Sequence, residues 1–232
     1  MNIFYKKLII LAFLFTLLFT NVETVKATQQ TTTSGTATET TLSLSVFLHG
    51  IGNAGDNPNP NGNSNSNKTP VHLQRNLNIL VFDASNHVVA NTFMPIIYDR
   101  ASGSFIGSLR LDDTIPAGNY TIKIKTDRYL RKILPGVQQI KRGQDNAFKD
   151  IQMIAGDANN DNLLNVLDYN ALRDCGYGQL NPLPNIDSKS VFQSTACQAH
   201  APAENVDLDD NGTINAFDYN LFLRELSVQK GD

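Results

Sequence analysis

At 232 residues and a formal net charge of −3, the chain has room for one or two domains and lacks the basic surplus of a nucleic-acid binder. Hydrophobic residues make up 41% of it, which excludes a chain disordered from end to end. Trp is absent, so an aromatic platform for sugar stacking would have to come from other rings, with Tyr98 and Tyr129 as the candidates.

Residues 1–27 read as a secretory signal: Lys6 and Lys7, an apolar run over 8–19, then Val25-Lys26-Ala27 as a cleavage site. The run is shorter than the roughly 20 residues that span a bilayer, and no Cys follows it to carry a lipid anchor. Retention as an uncleaved anchor is the alternative. With no second apolar stretch of spanning length, the mature chain is expected to be secreted, extracellular or at the cell surface, and free of the membrane after cleavage. Residues 28–41 are mostly Thr, Gln, Ser and Gly, a composition that cannot bury a core and predicts a disordered tether.

From 42 to 154 the apolar residues recur with period two. Leu42, Leu44, Val46 and Leu48 alternate with serines, and Tyr120, Ile122 and Ile124 alternate with Thr121, Lys123 and Lys125. Further strands are predicted over 77–83, 88–94, 104–111, 129–134, 137–140 and 148–153. Turn signals such as Asp83-Ala84-Ser85-Asn86 and Pro116-Ala117-Gly118-Asn119 separate them. The fold class expected is mainly β plus small α: an antiparallel β-sandwich followed by a pair of loop–helix repeats. Ser102-Gly103-Ser104-Phe105 and Pro116-Ala117-Gly118-Asn119-Tyr120-Thr121-Ile122 loosely resemble the prealbumin-like, carboxypeptidase-regulatory-like modules. The Asn-rich stretch between the first two strands mimics a metal loop at Asn57, Asn59 and Asn61, but Lys68 stands where the closing acid belongs. It is read as a loop.

Residues 155–230 hold two stretches in phase. Asp157, Asn159, Asp161, Asn165 and Asp168 place side-chain oxygens at positions 1, 3, 5, 9 and 12 of one loop, and Asp207, Asp209, Asn211, Asn215 and Asp218 do so in a second. Alternate oxygen ligands in a tight loop suit a hard divalent cation, with the carbonyls of Leu163 and Thr213 at position 7. Gly212 at position 6 supplies a left-handed turn, and Asn162 takes that place in the first copy. Asn165 and Asn215 bind directly or through water, and each also stands three residues before an Asp, a spacing that can cap an exit helix.

At these residues the chain resembles the type I dockerin family, whose duplicated repeat is a calcium loop followed by one helix. Asp168 and Asp218 at position 12, where calmodulin-like loops carry Glu, fit that family. An insertion around Cys175–Glu204 sets the repeats further apart than the family does. The resemblance implies Ca²⁺ at two sites and a cohesin-type protein domain as partner, in a surface assembly that degrades polysaccharides. It also implies receptor contacts at positions 10 and 11, here Val166, Leu167, Ala216 and Phe217. The alternative for Leu167 and Phe217 is a core contact between the two helices.

Only Ala155-Gly156 separates sandwich from loops, too short for a flexible linker, so the two parts are expected to pack together. Cys175 and Cys197, the sole cysteines of an exported chain, are expected to form a disulfide. Lys123, Lys125, Arg128, Arg131 and Lys132 read as a solvated strand face. No catalytic constellation stands out: His49, His72, His87 and His200 are scattered, and Asp112-Asp113, as neighbours on one strand, would point to opposite faces. The function expected is therefore a secreted, non-catalytic, calcium-binding adaptor with no nucleic-acid partner. The alternatives are a structural surface protein whose calcium-stapled repeats pack on their own sandwich, and a carbohydrate-binding module.

Overall fold

Alternation sets the strands, because successive side chains of an extended backbone point to opposite faces. In a computed structural model describing residues 39–52, 67–111, 115–175, 186–187, 203–227 and 230–232, β1 (Thr41–Leu48) buries Leu42, Leu44, Val46 and Leu48. The leader, residues 28–38 of the tether, the Asn-rich 53–66, Asp112, Asp113, Cys197 and His200 lie outside the described residues. Thr41, assigned to the tether by composition, already belongs to β1.

β2 (Gln74–Phe82), β3 (Val88–Asp99), β4 (Ser104–Arg110) and β5 (Gly118–Lys125) follow, then the short β6 (Arg128–Tyr129), β7 (Lys132–Ile133) and β8 (Gln138–Ile140), and then β9 (Asp145–Met153). The single strand expected over 129–134 is thus two short pieces. β3 outruns its predicted end at 94 and passes through Pro95; it pairs with β4 only from Ile97 onward, beyond the residue that has no N–H to give. The sheet order is β7-β5-β2-β3-β4-β1-β9, with β8 also on β5.

Among the described residues the class is mainly β with two short helices, and the sheet is curled and mixed. Its ladders are antiparallel except one: β1 and β9 run parallel, with Leu42 beside Asn146 and Leu48 beside Met153. Period-two alternation tells which face of a strand is buried but not the direction of its neighbour, so this departure from an all-antiparallel sheet has no signal in the pattern.

The repeats continue the same body. β10 (Ala155–Asp157) leaves β9 and pairs with β6. Between them Gly156 has φ +115°, and a Cβ there would press on Leu164 and Phe222 at 3.2 and 3.3 Å. Helix α1 (Val166–Asp174) and helix α2 (Ala216–Glu225) follow their loops. A two-residue bridge joins β11 (Ile186–Asp187) to β12 (Thr213–Ile214).

Leu208, Leu221 and Phe222 of the second repeat lie in one core cluster with Leu48, Ile79, Ile122 and Tyr129 of the sheet. Ala158, Ala171, Leu172, Cys175, Val206 and Ile214 form a second cluster between the repeats. Gly50 is where the sheet lets α2 in: its φ is +90°, and a Cβ would meet Leu221 Cδ2 at 2.5 Å. The described residues accordingly belong to one compact unit. Cys175, at the C-cap of α1, is buried and disulfide-bonded. Among the described residues no helix is long and apolar enough to cross a membrane.

Because Phe222 is 2% exposed and sits in the sheet's core, Phe222→Ala should lower stability by about 3–5 kcal/mol. Urea unfolding followed by sheet and helix signals checks this. A loss below about 1 kcal/mol would mean that α2 is not anchored on the sheet.

Candidate metal centre

Each loop begins with a buried aspartate and closes on another. In the second loop Asp207, Asp209 and Asp218 are 2%, 4% and 0% exposed, and each offers a carboxylate oxygen within 4.8 Å of the others. Asp218 also ties the loop to the helix. Its Oδ1 accepts from the N–H groups of Leu208 at 2.6 Å and Asp209 at 3.2 Å, and its Oδ2 from Asn215 at 2.8 Å. Asn215 returns the contact, accepting from Phe217 N at 2.7 Å, which completes a capping box on α2. Asp207 accepts from Gly212 N at 2.8 Å and Asn211 N at 3.1 Å. Asn211 bonds Asp209 and accepts from Thr213 N, while the Thr213 carbonyl accepts from the Asn215 amide.

The first loop repeats the scheme with different charges. Asp168 Oδ1 accepts from Ala158 N at 2.9 Å and its Oδ2 from Asn165 N at 2.9 Å, and Asn165 caps α1 through Leu167 N at 2.7 Å. Asp157 accepts from Asn162 N at 3.1 Å. Asp161 is exposed and bonds Leu163 N and the Asn159 amide, while the Leu163 side chain is exposed too. Asn165 and Asn215, expected among the ligands, direct their Oδ1 atoms to the helix caps. Positive φ occurs at position 6 in Asn162 and Gly212, as the spacing predicts, and also at position 4 in Asn160 and Asp210.

Burial dominates the electrostatics, because a desolvated carboxylate prefers its neutral form. It pushes Asp168 up to about 6 against the backbone N–H donors that favour the anion. Burial and then the charge of Asp207 push Asp209 up to about 7. Asp218 is raised well above the ordinary carboxylate value by burial and by Asp209. Asp207 is raised by burial, partly offset by Arg128. Burial also raises Asp157, with Lys125 drawing it the other way.

Asp210, the residue between the second loop's ligands, behaves oppositely. It is 0% exposed. Arg75 Nη2 stands 3.0 Å away, Arg128 Nη2 3.2 Å and His72 Nδ1 2.6 Å. Burial would raise it, but the two guanidinium groups and the His72 hydrogen bonds prevail and hold it below the ordinary value. Arg128 also donates to the carbonyls of Glu204 and Asp207. His49 Nδ1 lies 2.8 Å from Glu225 Oε1, and the Asn67 amide donates to the carbonyls of Asp209 and Asp210. The second loop is thereby clamped to the sheet.

These contacts correct two expectations. Arg128 is 4% exposed and the Lys125 side chain 13%, so they are not part of a solvated face; the repeats cover them. Tyr129 and Tyr98 are 0% and 8% exposed, so neither offers a ring to a sugar. The expected partner face, in contrast, is open: Val166, Leu167 and Phe217 are 65%, 46% and 47% exposed, and Ala216 is exposed as well. Leu167 and Phe217 are therefore not core contacts between the helices. Asp210, Arg75 and Lys125 are the residues that spacing alone missed; an acid at position 4, outside the ligand pattern, was the only signal.

The second loop brings three buried carboxylates together, an arrangement that could hold a metal ion. Comparison with protein-family models, curated proteins and solved structures gives no match.

Raised carboxylates stabilise the metal-free fold below their unfolded value of 3.8, and that contribution is lost as pH rises through about 6 to 7. Calcium needs the same groups deprotonated. The melting-temperature difference between calcium and EGTA should therefore widen from pH 5 to pH 7.5. A difference that is equal at both pH values would contradict the placement of these groups around a cation.

Proposed function

We propose that the chain is an exported, non-catalytic, calcium-binding adaptor: a β-sheet body fused to dockerin-like repeats that dock onto a cohesin-type domain in an extracellular, polysaccharide-degrading assembly. The observation that carries this reading is the exposure of Val166, Leu167, Ala216 and Phe217. They occupy the same place in each repeat, directly after the cap that ties loop to helix. Large apolar side chains left in water at a rigid helix start are the kind of group that protein interfaces bury.

Calcium would be held by Asp207, Asp209, Asn211, the Thr213 carbonyl and Asp218; Asp157, Asn159, Asp161, the Leu163 carbonyl and Asp168 stand at the same positions of the first repeat. The ion's role is structural: it neutralises the carboxylates that the second loop gathers and so fixes the start of α2, which carries Ala216 and Phe217. Asn165 and Asn215 cap α1 and α2.

The structural alternative, a calcium staple packed on its own sheet, draws support from the Asp210 clamp. The two readings part on the exposed apolar surface at the helix starts. The adaptor uses it for a second chain, whereas the staple has no need of it.

Pull-down with cohesin-type domains from the same secretome, with and without EGTA, separates them. Capture should require calcium and should be lost in Val166→Asp with Ala216→Asp, while the calcium-dependent melting temperature of that variant stays as in the parent. Capture that survives EGTA or the double substitution would overturn the adaptor reading.

A further inference from the structure

The two loops differ at position 1. Asp157 Oδ2 accepts a hydrogen bond at 2.6 Å from Lys125 Nζ, the last residue of β5. The same ammonium reaches Asn160 Oδ1 at 3.2 Å and the backbone carbonyls of Tyr129 and Thr126. Four oxygens from both the sheet and the loop thus surround a side chain that is 13% exposed. The turn after β5 holds the cage in place: Arg128, at φ +73°, donates its backbone N–H to Asn160 Oδ1 at 3.0 Å.

The remaining carboxylates of the first loop do not assemble a second cation site of equal strength. Position 3 is the neutral Asn159, whose amide donates to Asp161 at 3.0 Å. Asp161 is exposed. In the second loop position 3 is Asp209, buried with Asp207 and Asp218. Arg75 and Arg128, which stand near that loop, are both engaged by the Asp210 carboxylate, and Arg128 also by backbone carbonyls. Among the described residues the second loop alone brings three acidic oxygens within 4.8 Å.

We propose that Lys125 is the resident cation of the first loop, so that the chain takes up one calcium ion tightly, in the second loop, and not two. An ammonium bonded to the position-1 carboxylate occupies an oxygen that a calcium ion would use and repels a divalent charge at close range. The first loop is then closed at all calcium levels, and the second alone responds to the metal. This inference rests on the calcium reading of the loops.

Isothermal titration of the mature chain with calcium tests it. The parent should show one tight site per chain, with any second site weaker by about tenfold or more. Asp218→Asn should abolish the tight site, and Asp157→Asn should leave it in place. Lys125→Met should strengthen the weak second site by about tenfold or more. If that variant does not fold, Asp157→Asn decides: one retained tight site supports the assignment, and a lost one overturns it. Two equal sites in the parent overturn the lysine assignment while leaving the calcium reading intact. No binding at all overturns both.

Discussion

A carboxylate removed from water must meet a positive charge or give up its own, and this chain buries Asp157, Asp168, Asp207, Asp209, Asp210 and Asp218 within two short loops. The rest of the molecule is arranged around how these charges are matched. Asp210 takes Arg75 and Arg128 from the sheet, and Asp157 takes Lys125. Asp207, Asp209 and Asp218 converge on one another. Burial pushes that last group toward the neutral form, and a divalent cation reverses the preference. The protein's own cations fix where the repeats sit, and the triad is the group that an external cation could match.

That division explains why the repeats and the sheet behave as one body. The dockerin-like pattern specifies only loops and helices, yet α2 buries Leu221 and Phe222 in the sheet's core and Glu225 against His49. One side of the repeats is used up by these contacts, leaving the helix starts at Val166, Leu167, Ala216 and Phe217 facing outward. A module whose inner face is clamped can present its outer face without reorganising, which reduces the ordering cost of any docking event.

Much of this was legible in the residue order. Period-two runs marked the strands, because one face of each is buried. The oxygen spacing marked where the second loop gathers its buried carboxylates, Asp207, Asp209 and Asp218. The capping boxes followed from Asn three residues before Asp. What the order did not carry are the contacts made between distant segments. Lys125 alternates with Ile122 and Ile124 and so reads as an outward residue of β5; only the loop folded over it reveals that outward means covered. Asp210 falls between ligand positions and has no role within the loop itself. The parallel pairing of β1 with β9 joins segments far apart in the chain, and alternation is silent on that point.

The central claim is that an external cation completes the carboxylate triad of the second loop. Crystals grown with terbium as a calcium substitute test it most directly through the anomalous difference map. The account predicts a strong peak bounded by Asp207, Asp209 and Asp218, beside the Thr213 carbonyl. A map with no peak there, or with its strongest peak elsewhere on the chain, would contradict it.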